Sequence, residues 1–311
     1  MNLTDSRLEK PQWLKIKPPT QKFDDVKQTL REYGLVTVCE EAHCPNASEC
    51  WSGGTATFMV LGDTCTRGCR FCAVPKAREG KPLDPNEPQK IAQVVQKWGL
   101  KYVVITSVDR DELADQGANH FAECIRQVKS LNPTVFVEVL IPDFRGDESL
   151  LKIVLDAGPN VLAHNIETTR SLQKKVRDYR AGYEQSLGVL KKAKEIKPGI
   201  FTKSSIMLGL GETDEEVLQT MDDLRAAGTD FLTIGQYLQP SKRHYRLREF
   251  VSPDKFKYFE EKAIEKKFLY AASGPFVRSS YRAGEYFIKN ALKKNVLKSQ
   301  PRELNEVLLK C

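Results

Sequence analysis

Short apolar runs alternate along the chain with longer segments of helical periodicity. Six apolar runs have the length and the β-branched content of strands: Thr55–Leu61, Tyr102–Thr106, Val135–Leu140, Val161–Ile166, Phe201–Leu208 and Phe231–Gln236. The segments between them place apolar residues three and four positions apart, as in Pro88–Trp98 and Gly182–Ile196. This alternation predicts repeated βα units around a parallel sheet.

Capping residues predict two further helices. The segment Asp214–Ala227 follows Thr213, a good N-cap, and stops at Gly228. The segment Ser252–Lys267 has a serine cap followed by proline at the first helical position. Six βα units are fewer than the eight of a complete barrel, so a partial barrel and an open doubly wound sheet both fit the pattern.

The composition is that of a globular protein with a mild excess of positive charge. Of 311 residues, 41% are hydrophobic and 29% charged, which permits a sizeable core and excludes a disordered chain. The net charge of +7 favours an acidic partner but is too diffuse to indicate nucleic acid. The apolar runs are too short to span a membrane, and the N-terminal segment lacks the features of a secretory signal or transit peptide. We therefore expect a cytoplasmic protein with neither nucleic-acid nor membrane partners.

Six of the eight cysteines fall within 34 residues, in two groups of different spacing. The first triad has the spacing C-x4-C-x5-C and consists of Cys39, Cys44 and Cys50. The second triad has the spacing C-x3-C-x2-C and consists of Cys65, Cys69 and Cys72. Because no export signal is predicted, we expect a reducing compartment, in which metal ligation is favoured over a disulfide framework. Of the two isolated cysteines, Cys124 is expected to be buried packing, and Cys311 has no predicted role.

The second triad directly follows the first predicted strand, where parallel α/β proteins place active-site loops. Three thiolates within eight residues can ligate three irons of a 4Fe–4S cluster and leave the fourth iron without a protein ligand. A zinc site is the alternative, but structural zinc usually adds a distant second pair of ligands. A pure electron carrier is a further alternative, although such a protein has no use for an open iron.

The segment CTRGCRFC, with Phe71 just before the third cysteine, resembles the signature loop of the radical S-adenosylmethionine (SAM) superfamily. In that superfamily the open iron binds the amino and carboxylate groups of SAM. The resemblance therefore implies a cluster that donates an electron, cleaves the sulfonium and releases a 5′-deoxyadenosyl radical.

Further blocks resemble the lipoyl synthase family, over about Lys10 to Phe287: CEEAHCPNASEC, TSVDRDEL, HNIET, KSSIMLGLGET and GPFVRSSYRAGE. The family inserts two sulfur atoms at carbons 6 and 8 of an octanoyl chain linked to a lysine of a lipoyl carrier domain. Unactivated C–H bonds offer no acidic proton, so a radical must abstract hydrogen and a second site must supply sulfur. A biotin-synthase-like enzyme is the nearest rival, and the first triad argues against it.

The resemblance implies two 4Fe–4S clusters with separate ligands. The second triad would hold the radical-generating cluster, and the first triad would hold an auxiliary cluster whose sulfides are consumed. The family's fourth ligand to the auxiliary cluster is a serine of the motif RSSY, here residues 278–281. We assign Ser280, with Ser279 as the alternative. Without the resemblance, the motif would be interpreted as an ordinary turn.

The resemblance also suggests contacts to SAM. Phe71 is expected near the adenine, unless it is a core aromatic. The remaining candidates are Thr106 and Ser107 for the amino group, Asn165 and Glu167 for the ribose, Arg180 for the carboxylate, and Met207 at the end of the fifth strand. Glu167 could instead be a solvated loop acid. His43 is expected to donate a hydrogen bond to the cluster or to cap a helix, rather than bind a metal.

The implied partners are proteins. The substrate would be an octanoylated lipoyl carrier domain, either of a 2-oxoacid dehydrogenase E2 subunit or of the glycine cleavage H protein. A low-potential donor such as ferredoxin or flavodoxin would supply electrons. Basic stretches at Lys191–Lys197 and Lys289–Lys298 suit an acidic carrier, although solvated helix faces are the simpler interpretation.

We predict an α/β fold, a partial (β/α)6 TIM-type barrel over about Gly54–Gln239. An N-terminal extension, about Met1–Gly53, carries the first triad. A C-terminal extension, about Pro240–Cys311, carries the serine motif.

Overall fold

The computed structural model describes residues 9–15, 18–52 and 56–280. In these residues, seven parallel strands form one sheet. They are β1 (Thr57–Val60), β2 (Tyr102–Ser107), β3 (Phe136–Leu140), β4 (Val161–Ala163), β5 (Phe201–Leu208), β6 (Phe231–Gln236) and β7 (Tyr270–Gly274). Each strand pairs with the next in chain order, without the reversal of a doubly wound sheet. The predicted α/β barrel-type fold is confirmed.

One strand ends three residues before its predicted end, and one strand was not predicted. Strand β4 ends at Ala163, before the predicted end at Ile166, because the Ile166 N–H donates to the Ser204 hydroxyl instead of continuing the ladder. Strand β7 was not predicted, since its sequence YAASG lacks the large β-branched residues that mark a strand. It raises the strand count from six to seven and lies within the segment assigned to the C-terminal extension.

Helices cover the sheet and connect its strands. They are α1 (Gln21–Tyr33), α2 (Val38–Glu41), α3 (Ala47–Ser52), α4 (Glu87–Lys97), α5 (Ala118–Leu131), α6 (Glu148–Asp156), α7 (Gln173–Val176), α8 (Tyr183–Ile196), α9 (Asp214–Ala226) and α10 (Pro253–Glu265), with 3-10 turns at Gln12–Leu14 and Phe144–Gly146. The predicted caps are present: Thr213 forms a capping box with Glu216, and the Ser252 hydroxyl accepts from the Lys255 N–H. In the described part of the chain, no helix is long and apolar enough to span a membrane.

The N-terminal helices pack on the same core as the first half of the sheet. Leu30 of α1 and Trp51 of α3 are buried in the cluster that includes Phe58 of β1 and Ile91 of α4. The rings of Phe23 and Trp51 lie 4.8 Å apart between their centroids. This packing holds α2 and α3, which carry Cys39 and Cys50 and flank Cys44, against β1.

Candidate active site

A cavity of about 530 Å³ lies at the carboxyl ends of the strands. Most of the predicted site residues line it: Cys44, Cys65, Cys69, Phe71, Cys72, Thr106, Ser107, Asn165, Glu167, Met207, Ser279 and Ser280. Cys39, Cys50 and Arg180 are not among its lining residues. Members of both triads and both candidate serines therefore line one cavity.

Backbone hydrogen bonds fix the loop of the second triad against the sheet. The Cys65 N–H donates to the Pro75 carbonyl at 2.8 Å, and the Thr66 N–H donates to the Asp109 carbonyl at 2.9 Å. Other backbone groups point at the sulfurs. The Arg67 N–H lies 3.4 Å from the Cys65 sulfur, and the Asp178 N–H lies 3.3 Å from the Cys69 sulfur. Such N–H donors stabilise the thiolate ligands of iron–sulfur clusters.

Burial disfavours free thiolates in both triads. Desolvation raises the pKa of Cys65 and of Cys69 to about 12 each, and that of Cys39 to about 11. It also raises the pKa of Cys44 and Cys72. A bound cation reverses this balance, because metal binding displaces the thiol protons. Buried sulfurs with N–H donors already in place fit iron–sulfur clusters.

The spacing of the sulfurs does not suit a single zinc ion. With Zn–S bonds of about 2.3 Å, tetrahedral geometry places two sulfurs about 3.8 Å apart. Within the residues that the structure covers, three metal-ligating atoms come within 4.8 Å of one another only at Glu87, His120 and Cys124. Neither triad meets that condition, which favours a larger cluster. Cys124 itself is buried in α5, as predicted.

Arg67 anchors the loop of the second triad, a role that the sequence analysis missed. Its side chain is 2% exposed and donates to Asp111 at 2.9 Å and to Asp143 at 2.7 and 2.8 Å. Asp111 and Asp143 follow β2 and β3. The loop is therefore attached to two neighbouring strand ends through one side chain.

Two unpartnered polar atoms point to a ligand near β2 and β4. The Ser107 hydroxyl and the Asn165 side-chain oxygen are buried, and neither has a hydrogen-bond partner in the part of the chain described. Asn165 donates to the Glu167 carboxylate at 3.1 Å, and burial raises the pKa of Glu167. In contrast, the Thr106 hydroxyl donates to the Leu140 carbonyl at 3.0 Å.

The two candidate guanidinium groups differ in their surroundings. Arg180 pairs with Asp178 at 2.8 Å and with Asp111 at 3.1 Å, away from the lining of the cavity. Arg177 lines the cavity, and its Nε is buried without a partner among the described residues. These contacts favour Arg177 over the predicted Arg180 for an anionic ligand. No pattern in the sequence separates the two arginines.

The first triad meets the serine motif although the two lie at opposite ends of the sequence. The Asn46 amide donates to the Phe276 carbonyl at 2.6 Å, and a Cβ at Gly235 would collide with the carbonyl oxygen of Val277. The positive charge of Arg278 lowers the pKa of Cys44 against a larger increase from burial. Tyr281, Cys311 and the basic stretch Lys289–Lys298 lie outside the described residues.

Comparison with known proteins identifies the relatives. A model of the radical SAM superfamily matches residues 59–224, and one of the N-terminal domain of lipoyl synthase matches residues 2–44. Mitochondrial lipoyl synthase of Aedes aegypti is 56% identical over 305 residues, covering 96% of this chain and 78% of the relative. That of Rattus norvegicus is 56% identical over 298 residues, covering 94% and 80%.

Solved structures agree on the fold. Methylornithine synthase aligns with a TM-score of 0.54 at 16% identity, over 81% of this chain and 75% of that chain. The FeFe-hydrogenase maturase HydG from Carboxydothermus hydrogenoformans aligns with a TM-score of 0.53 at 12% identity, over 93% and 89%.

The relatives correct the expected cellular location and establish the family. They are named as mitochondrial proteins, which points to the mitochondrion, so the expected cytoplasmic location is wrong. The cluster motifs specify chemistry and carry no information on compartment. The high identity to lipoyl synthases over most of the chain agrees with the matches to the two family models. The chain therefore belongs to the lipoyl synthase family of radical SAM enzymes.

Proposed function

We propose that sulfur insertion takes place in the cavity between the two triads. As a lipoyl synthase, the enzyme inserts two sulfur atoms at carbons 6 and 8 of a protein-bound octanoyl-lysine, by radical SAM chemistry. One observation carries the proposal: the second triad lines the same cavity as Cys44 and Ser280. A radical made on one side of this cavity has its sulfur source on the other side.

The second triad would hold the radical-generating cluster. When bound, that cluster supplies the electron that cleaves SAM to methionine and a hydrogen-abstracting 5′-deoxyadenosyl radical. The protein's part is to orient SAM and exclude water. In our proposal, Ser107 binds the amino group, since its hydroxyl is unpartnered among the described residues. The Thr106 hydroxyl, in contrast, already donates to the Leu140 carbonyl. Arg177 binds the carboxylate through a charge-assisted hydrogen bond.

Four further side chains complete the proposed SAM site. Asn165 and Glu167 accept or donate hydrogen bonds at the ribose hydroxyls, and Phe71 packs against the adenine. Met207, at the carboxyl end of β5, contributes apolar contact from the neighbouring wall. All four side chains lie on the cavity lining, which supports these assignments.

The first triad would hold the auxiliary cluster, with Ser280 as fourth ligand and Ser279 as the alternative. Proximity of the Arg278 charge to Cys44 supports a ligand set shared between the two segments. A serine oxygen would be a poorer ligand for iron than a thiolate, so it would hold the auxiliary cluster less tightly than a fourth cysteine. On this side of the cavity, the chain would hold the cluster that supplies the sulfur.

The proposed partners remain those that the family implies. An octanoylated carrier domain, from an E2 subunit or the H protein, would place its lysine arm in the cavity. Ferredoxin or flavodoxin would supply the electron. The net charge of +7 supports acidic surfaces on such partners.

The test separates radical generation from sulfur delivery. A Cys44→Ala variant should still convert SAM to 5′-deoxyadenosine but form no lipoyl product, because only the sulfur source is lost. A Cys69→Ala variant should do neither. The reaction is run anaerobically with an octanoylated carrier peptide, and both products are measured by mass spectrometry.

Cys124→Ala provides the matched control, since Cys124 is a buried cysteine outside the cavity lining. It should retain both products. Ser280→Ala should behave like Cys44→Ala. Full lipoyl formation by Cys44→Ala would refute the assignment of the first triad as the sulfur source.

A further inference from the structure

The loop of the second triad reaches the protein surface on both sides of Cys69. Gly68 and Arg70 are exposed, and neither is among the residues that line the cavity. The next residue, Phe71, does line the cavity. The backbone on both sides of Cys69 therefore reaches the surface outside the cavity lining, although Cys69 itself lines the cavity.

Arg70 joins two surface segments beside this loop. Its N–H donates to the Val176 carbonyl at 2.8 Å, and its guanidinium donates to the Lys175 carbonyl at 3.2 Å. On the other side, its carbonyl accepts from the Tyr245 N–H at 2.7 Å, and the guanidinium lies 5.5 Å from the centroid of the Tyr245 ring. The end of α7 and the segment before Tyr245 thus form one surface with Arg70 at its centre.

This surface carries an excess of positive charge. We call it the basic face, and it consists of the exposed residues Arg70, Lys174, Lys175, Lys242 and Arg243. Of the acids nearby, Glu216 has its pKa lowered mainly by Ser171 and also by Lys175, and Asp178 is held by Arg180. By comparison, the lysines at 192 and 194 of α8 are already paired with carboxylates. The basic face is the better match for an acidic partner.

An exposed aromatic residue lies at the edge of the basic face. Tyr179 is 88% exposed and follows Asp178, whose N–H donates to the Cys69 sulfur. The Arg180 guanidinium lies 5.1 Å from the centroid of the Tyr179 ring. Exposed tyrosines bordered by cations are typical anchors of protein interfaces.

We propose that the basic face with Tyr179 is the docking surface for an acidic, one-electron carrier protein. The proposal rests on the proposed function, because it takes the second triad as the ligands of the radical-generating cluster. One electron leaves the reduced partner, which is oxidised, and reduces the cluster by one electron, without making or breaking a bond. A docked partner lies next to Cys69, so the electron need not pass through the substrate cavity.

The lipoyl carrier is the competing occupant of the basic face. Its octanoyl-lysine arm must enter the cavity, and none of the residues of the basic face lines the cavity. Arg70 of the basic face instead follows Cys69 directly in the chain, and the N–H of Asp178, the residue before Tyr179, donates to the Cys69 sulfur. Position and charge together favour the electron donor.

The test uses the holoenzyme and a reduced or oxidised acidic [2Fe–2S] ferredoxin as the probe. The Lys242→Glu/Arg243→Glu variant should weaken the affinity for oxidised ferredoxin at least ten-fold by calorimetry at low ionic strength. Tyr179→Ala should weaken it at least three-fold. The control Lys191→Glu/Lys257→Glu changes the net charge equally at exposed helix positions and should change the affinity less than three-fold.

A second measurement separates the possible occupants. Ferredoxin-driven formation of 5′-deoxyadenosine should fall with the affinity, whereas dithionite-driven formation should stay at the wild-type rate. Equal affinity of the two double variants would overturn the proposal. So would a loss of dithionite-driven lipoyl formation on the intact carrier, since that result would assign the face to the carrier. If the proposed function itself were wrong, the wild-type protein would not cleave SAM even with dithionite as the reductant.

Discussion

Arg67 and Asp143 form two parallel hydrogen bonds, at 2.7 and 2.8 Å, between residues 76 positions apart in the chain. Both side chains are almost fully buried, at 2% and 0% exposure. Burial alone would raise the pKa of Asp143, but hydrogen bonds from Arg67 lower it to about 2. The pair therefore stays charged over the physiological range and holds the loop of the second triad in place.

We expect an Arg67→Ala variant to lose the radical-generating cluster. Removing the guanidinium leaves Asp143 buried without its charged partner, at a cost of about 3–5 kcal/mol in the free energy of unfolding, whereas Asp111 keeps its ion pairs with Arg145 and Arg180. Bound iron should fall from about eight to about four per chain, because two 4Fe–4S clusters become one. Iron assay and Mössbauer spectra measure this loss.

Arg126→Ala is the control, since its ion pair with Glu123 is exposed and such pairs contribute about 0–1 kcal/mol. It should keep both clusters. If Arg67→Ala retains about eight irons per chain after reconstitution, the anchoring role of Arg67 is wrong.

Asn46→Ala should weaken sulfur delivery more than radical generation. The substitution removes the hydrogen bond to the Phe276 carbonyl, which joins the first triad to the serine motif. We expect lipoyl formation to fall about ten-fold, in line with the loss of one buried hydrogen bond of about 1–2 kcal/mol. SAM cleavage should remain within two-fold of wild type. Equal losses of both products would show that Asn46 acts on the whole fold instead.

His164 should make stability fall as the pH drops below 6.5. Its ring is buried between the Ile141 carbonyl, which accepts from Nδ1, and the Ser186 hydroxyl. Burial, followed by the charge of Arg177, lowers the pKa of His164 to about 4 from an ordinary value of 6.5. Between these values the unfolded chain binds the proton and the native chain does not, so stability is lost as the pH falls from 6.5 to 4.

The expected loss from His164 is about 1.4 kcal/mol per pH unit within that window. Urea unfolding at pH 7 and pH 5 measures it as a difference between wild type and His164→Gln. The glutamine variant should lose less stability between the two pH values than the wild type. Identical losses in both proteins would exclude His164 as the cause.

Arg177→Lys should raise the KM for SAM ten- to a hundred-fold, as expected for the loss of a hydrogen bond to a charged group worth about 1.5–3 kcal/mol. Arg180→Lys should change the KM less, because Arg180 is held by Asp178 and Asp111. Initial rates of 5′-deoxyadenosine formation at varied SAM concentration give both values. The reverse order of effects would restore Arg180 as the ligand.

Local patterns were sufficient to predict most of the fold. The helix that begins after Thr213 and the strand Phe231–Gln236 are determined by neighbouring residues, and both were predicted within one residue. Strand β7 was missed because a sheet can recruit small and polar residues when a neighbouring strand supplies the pairing. The strand propensity of a segment does not reveal that a neighbouring strand will pair with it.

The partners of the site could not be predicted for a similar reason. The contact between Arg67 and Asp143, and that between Asn46 and Phe276, join residues far apart in the chain. A single sequence shows which side chains can pair but not which pairs form. Arg177 and Arg180 are chemically identical and three positions apart, so only the folded surroundings distinguish them.

The link between Asn46 and Phe276 has a consequence for folding. The loop of the second triad finds its last described backbone partner at Tyr245, whereas the wall of the first triad needs the chain as far as Ser280. The first triad therefore reaches its complete surroundings only when the C-terminal part of the chain has folded against the N-terminal part, whereas the backbone partners of the second triad's loop all lie at or before Tyr245.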